Sequence, residues 1–245
     1  MIPASPSVYM CPHCGALKAV SAKTSGNSIG ATYWSDSKRD LPMSLRASFV
    51  QQCPSCRKFF LLIEDNYYKR ADSFFCVSSQ GRLSYHSLKN AFAQLSPLGQ
   101  YEKTIRLMLL HSYNDLYGDK QIADIPTEDR KLFEENAIAL IGLCDIDHSD
   151  ERLLIAELYR EMGKFHKTIS ILQAFFKYEN EAQNNLCNKI LEYAEQKITN
   201  VFIYIGDEAL SRKAIEVDDK NYIYDEKDDA EYNKHRLLFK HKILI

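Results

Sequence analysis

Two short cysteine knuckles constrain this chain more than any other feature: Cys11-Pro12-His13-Cys14-Gly15 and Cys53-Pro54-Ser55-Cys56. A Cys-x-x-Cys turn sets two sulfurs on one side of a metal. Two such turns complete the tetrahedron that zinc takes in structural sites. Either pair alone is ambiguous, because the same spacing also serves thiol redox chemistry. Both pairs carry proline after the first cysteine, which pre-sets the turn. Gly15 supplies a residue able to take positive φ where the chain leaves the first knuckle. Cys11, Cys14, Cys53 and Cys56 are therefore the expected ligands of one structural Zn2+. His13 lies between two ligands and is expected to face solvent. A closed four-thiolate site has no open coordination position, so it implies coupled folding and metal binding rather than catalysis.

Residues 15–52 separate the pairs, more than the ~15–20 of the simplest zinc pattern, so the insert carries structure of its own. Alternation and turn residues predict strands over Ala16–Ala22, Ala31–Asp36, Ser48–Gln52 and Phe59–Ile63, with another at Phe74–Val77. Trp34, the only tryptophan, either packs over the ribbon as core or stacks on a partner. From Arg82 onward the period changes from two to about 3.6. Ser84 caps a helix to about Leu95, and Pro97 and Gly99 end it. Helices follow over 100–117, from Thr127 as cap, over 150–162, 164–177 and 181–198. The expected architecture is α+β: a zinc-ribbon domain at 1–80, a helical body at 81–205, and a charged C-terminal extension at 206–245. The basic, apolar end from Lys234 to Ile245 either docks on the body or serves as a partner-binding tail.

Leu154 to Phe165, followed by Thr168 and Leu172, resembles one tetratricopeptide helix pair. Tyr159, Gly163 and Phe165 fall at that motif's positions, Ala156 replaces its glycine and Thr168 its small alanine. No second copy lies 34 residues away, so a regular array is not expected. The wider layout resembles bacterial proteins that join an N-terminal cysteine ribbon to a C-terminal helical body. The knuckles, Tyr33-Trp34-Ser35-Asp36, Pro42-Met43 and Tyr113-Asn114-Asp115 carry that likeness, which implies no activity.

No apolar run approaches the ~18 residues of a membrane helix. The start Met1-Ile2-Pro3-Ala4-Ser5-Pro6 lacks the basic and apolar stretches of a signal peptide. A cytoplasmic location is expected, and an odd, scattered remainder of Cys76, Cys144 and Cys187 agrees with it. The net charge of −2 hides an asymmetry. Residues 1–63 hold Lys18, Lys23, Lys38, Arg39, Arg46, Arg57 and Lys58 against Asp36 and Asp40. That excess permits nucleic-acid contact without requiring it.

Three functional classes follow. The first is a non-enzymatic adaptor, with the ribbon and helical hairpins engaging a protein partner. The second is nucleic-acid binding through Trp34, Lys38, Arg39, Arg57 and Lys58. The third is an enzyme centred on His111 and Asp115, which with Asn114 share one helix face and read otherwise as a hydrogen-bonded cluster that fixes helix packing. Asp145, Asp147, His148, Asp150 and Glu151 crowd a loop, either as oxygen ligands for a divalent cation or as helix-capping acids, the latter the ordinary reading. No phosphate loop, His-Glu-x-x-His or Gly-x-Ser-x-Gly is present.

Overall fold

Where the sequence alternates with period two the chain forms short strands, and where it repeats every 3.6 residues it forms helices. The computed structural model describes residues 6–20, 31–40, 48–70, 83–118, 120, 124–174 and 181–204. The strands are β1 Ser7–Met10, β2 Leu17–Val20, β3 Thr32–Tyr33, β4 Arg39–Asp40, β5 Val50–Gln52, β6 Phe59–Leu61 and β7 Tyr67–Arg70. The helices are α1 Tyr85–Leu95, α2 Glu102–Tyr117, α3 Thr127–Gly142, α4 Ser149–Glu161, α5 Phe165–Gln173 and α6 Glu181–Glu195. The strand expected at Phe74–Val77, Cys76 and the 206–245 extension lie outside the described residues. Among those residues no helix is long and apolar enough to cross a membrane.

The chain packs as two units. One comprises residues 1–27 and 43–112, the other 28–42 and 113–245. The stretch between the knuckles is thus divided: residues 28–42 group with the later helices, while their flanks group with the cysteines.

In the first unit β2, β1 and β7 form an antiparallel sheet in that order. β5 and β6 form a hairpin with Gln52 opposite Phe59. β7 follows a single 3-10 turn at Glu64–Asn66 and all four of its residues are exposed. A strand exposed on both faces has no hydrophobic alternation to reveal it. Cys11, Cys53 and Phe60 form a small buried core, with Tyr9, Ala16, Cys56 and Leu62 packed against it. α1 begins as expected, the Ser84 hydroxyl accepting the Ser87 N–H at 3.3 Å. The helix is tied to β6 by the Phe59 N–H, which donates to the Gln94 side chain at 3.2 Å.

In the second unit α4 is the central helix, with Leu153, Leu154, Ala156 and Leu158 at 0% exposure. α4 and α5 form a tight hairpin that closes at Gly163, whose φ of 71° is left-handed. The Lys164 N–H then caps α4 by donating to the Tyr159 carbonyl at 2.8 Å. Thr168 is fully buried, and its hydroxyl donates to the Ala156 carbonyl at 3.0 Å. A small residue at 156 lets the two helices approach this closely. α3 starts at Thr127, but Thr127 is not its cap. Pro126 holds that position, and its carbonyl accepts the Asp129 and Arg130 N–H groups at 3.0 and 3.1 Å.

β3 and β4 form a two-strand ladder with Tyr33 opposite Arg39, turned through Ser37 at φ 69°. Trp34 makes an isolated antiparallel bridge to Ile203. The neighbouring Ser35 N–H donates to the Phe202 carbonyl at 2.8 Å. The apolar run at 201–204 therefore lies along the insert.

Candidate metal centre

The two knuckles share one backbone pattern. In the first, the Gly15 N–H donates to the Cys11 carbonyl at 2.9 Å and the Cys11 N–H to the Ala16 carbonyl at 2.9 Å. In the second, the Arg57 N–H donates to the Cys53 carbonyl at 3.0 Å and the Cys53 N–H to the Lys58 carbonyl at 2.8 Å. Gly15 at φ 74° and Arg57 at φ 62° occupy matching positions. The second knuckle thus places an arginine in a left-handed conformation that glycine adopts freely.

These turns bring four sulfurs to one point. Cys11 Sγ lies 3.7 Å from Cys56 Sγ, Cys14 Sγ lies 3.6 Å from Cys53 Sγ, and all four fall within 4.8 Å of one another. A tetrahedral ion with metal–sulfur bonds of about 2.3 Å requires sulfurs about 3.8 Å apart. The four cysteines are close enough to bind one metal ion, and the two closest pairs match that spacing. Among the described residues no other group of three or more His, Cys, Asp or Glu side chains could hold one.

Cys11 and Cys53 are buried, Cys56 is half-buried and Cys14 is exposed. Burial raises the Cys53 thiol, but the backbone N–H groups of Cys56 and Ser55 and the thiols of Cys14 and Cys56 outweigh it and bring it down to about 6. Burial holds the Cys11 thiol above its ordinary value. At Cys56 the Lys58 backbone N–H pulls downward, yet burial and the thiols of Cys14 and Cys53 leave the net shift upward. The cluster therefore carries one thiolate readily and resists several at once. A bound cation is what stabilises the full set. His13 is exposed, as expected, and its Nε2 sits 3.1 Å from the Phe59 carbonyl, tying the first knuckle to β6. It is not among the clustered donors.

No family model, curated protein or solved structure matches this chain.

The five residues read as a contact surface do not share one environment. Arg57 and Lys58 are exposed on the second knuckle. Trp34, Lys38 and Arg39 belong to the other unit. There the Trp34 indole N–H donates to Asp40 at 2.9 Å, and the Lys38 ammonium lies 4.8 Å from the centre of the indole ring. Lys38 is 7% exposed, and its ammonium also pairs with Asp40 at 3.1 Å and with Asp115. Its charge is satisfied within the fold. Arg39 lies 5.9 Å from the Tyr33 ring.

Asn114 and Asp115 hold this insert to the end of α2. Asp115 takes Lys38, and the Asn114 amide donates to Asp36 at 2.8 Å and to Glu161 at 3.1 Å. The acids of the α3–α4 loop are likewise engaged. Glu151 accepts the Asp145 N–H at 2.6 Å, Asp145 accepts the Asp147 N–H at 3.0 Å, and Asp150 accepts from Gln183 at 2.7 Å.

Sequence reasoning missed a fully buried charge pair in α4. Glu157 and Arg160 are both fully buried and form a two-pronged pair, with Nε to Oε2 at 2.8 Å and Nη2 to Oε1 at 2.6 Å. Arg160 also donates to the Ile198 and Asn200 carbonyls, and its guanidinium lies 5.6 and 5.4 Å from the rings of Tyr193 and Phe202. The available signal was an oppositely charged pair three residues apart, its acid set within the apolar run 153–158.

Proposed function

We propose that this chain is a non-enzymatic binding protein in which zinc holds the ribbon together and the helical hairpin presents a surface to a protein partner. The observation that carries the zinc reading is the cluster of four sulfurs. Thiolates in a closed tetrahedron suit Zn2+ and leave no position for a substrate. The observation that carries the hairpin reading is the close α4–α5 packing at Ala156 and Thr168. Its tetratricopeptide likeness belongs to this proposal.

Charge segregation favours a second reading, nucleic-acid binding by the ribbon unit. Residues 1–27 and 43–112 contain eleven lysines and arginines and four acids. Residues 28–42 and 113–245 contain twenty lysines and arginines and twenty-nine acids. The division of the chain therefore separates a net charge of +7 from one of −9, where the whole chain carries −2. Four thiolates around one divalent cation subtract about two from the ribbon's total and leave it basic.

Affinity capture from a native lysate, with and without nuclease, separates the two readings. Protein capture that survives nuclease supports the adaptor. Capture abolished by nuclease and by raised salt supports nucleic acid. Turnover of a substrate by the purified protein would contradict both.

A further inference from the structure

We propose that the ribbon unit binds single-stranded nucleic acid on its exposed strand β7, through Tyr67, Tyr68 and Arg70, together with Arg57 and Lys58 of the second knuckle. This proposal rests on the nucleic-acid reading above and names its surface.

The strand register builds the face. Lys18, Tyr9 and Tyr67 stand directly opposite one another across β2, β1 and β7. Directly opposed residues share a sheet face, as do residues two apart on one strand. Ser7, two residues before Tyr9, is opposite Arg70, and a register shift between Val8 and Tyr9 lets Tyr67 and Arg70, three apart on β7, lie on that side. On β1 and β2 the same side is largely closed, with Tyr9 packed on the core of Cys11 and Phe60, and Lys18 7% and Val20 4% exposed, so the open part is β7. The Tyr9 and Tyr67 rings meet edge to face at 5.8 Å.

Hydrogen bonds through the buried Lys18 tie this sheet to the second knuckle. The Lys18 ammonium donates to the Gln52 carbonyl at 3.1 Å, and the Gln52 amide donates to the Arg57 carbonyl at 3.0 Å. Arg57 and the adjacent Lys58 are exposed there.

These residues are of the types a single strand requires. Tyr67 is 44% and Tyr68 53% exposed, so aromatic rings face solvent on a short strand that also exposes Lys69 and Arg70. Bases stack on such rings with little regard to sequence, and the cations follow the phosphates. Among the described residues no side-chain ion pair or hydrogen bond engages Arg57, Lys58, Lys69 or Arg70, in contrast to Lys38. The charge of the unit complements a polyanion.

Arg57 adds an independent indication. It stands where the first knuckle has Gly15, in a backbone conformation that costs an arginine more than a glycine. A cationic side chain at a strained position fits a role outside the fold.

The test uses the full-length protein with its metal and a fluorescein-labelled 20-mer of deoxythymidine, or a duplex of the same length, followed by anisotropy between 50 and 200 mM salt. The single strand is expected to bind more tightly than the duplex, with affinity falling steeply as salt rises. Tyr67→Ala should weaken binding by about tenfold, within the range for loss of one stacked base, while Tyr67→Phe retains it. Arg57→Gly should weaken binding and lower the salt slope by roughly one phosphate's share without lowering the melting temperature.

Salt-sensitive binding indifferent to both Tyr67→Ala and Arg57→Gly would overturn this surface and leave the nucleic-acid reading standing. Absence of binding to either oligonucleotide at 50 mM salt would overturn both. Competition by heparin as effective as unlabelled single strand would show simple polyanion attraction and overturn the stacking role of Tyr67.

Discussion

Glu161 sits in an environment far from that of a solvated side chain. It is 9% exposed; one carboxylate oxygen accepts from Asn114, and the other has no hydrogen-bond partner. Burial above all, then the carboxylates of Glu157 and Asp36, hold its proton well above the usual carboxylate range, against the opposing pull of Arg160 and Asn114. The folded carboxyl thus binds its proton more tightly than the unfolded one. Its contribution to stability is complete below the ordinary value of 4.5 and is lost as pH rises through the raised folded value. Thermal unfolding from pH 5 to 8 should show stability declining with pH. Glu161→Gln, which mimics the protonated form, should flatten that decline and raise the melting temperature at pH 8. Identical pH profiles for the two proteins would contradict the assignment.

At this scale the four cysteines were legible because their chemistry resides in their spacing. Glu161, Asp36 and Asn114 were not. They come from three distant stretches of chain, and nothing local in each marks it as buried. Trp34 was read as either ribbon core or stacking surface. Instead it is half-buried in the second unit, held by Asp40 and beneath Lys38.

Among the elements, the α4–α5 hairpin was legible from Tyr159, Gly163 and Phe165, since a helix stop between two apolar stripes leaves few alternatives. The φ of 71° at Gly163 makes a further prediction. No atom lies within 4 Å of a β-carbon built there, so any penalty is conformational rather than steric. Gly163→Ala should destabilise by about 1 kcal/mol, measured by urea unfolding.

The buried Glu157–Arg160 pair fastens α4 to the segment at 198–202. Arg160→Ala leaves an uncompensated buried carboxylate and should cost about 3–5 kcal/mol, whereas the double variant Glu157→Leu/Arg160→Met should lie much closer to wild type. Equal losses for the single and double variants would mean that packing around the guanidinium, rather than charge pairing, dominates. β7 was not legible as a strand. Its residues face water on both sides, so no periodic burial marks it, and only its pairing with β1 reveals it.

For the whole molecule, the mixed α and β character followed from the change of hydrophobic period near residue 82. The grouping of residues 28–42 with the helices did not, because it depends on long-range bonds such as Asn114 to Asp36 and Ser35 to Phe202. Around the knuckles the buried cluster is only Cys11, Cys53 and Phe60. A cluster of that size supplies little local folding free energy, which a bound ion would add to. The most direct measurement is the metal content of the purified protein, taken together with its melting temperature before and after chelation. One zinc per chain, absent in Cys53→Ser, and a ribbon that unfolds when the ion is removed is the predicted result. Metal-free protein with an unchanged melting temperature and an intact ribbon would contradict it.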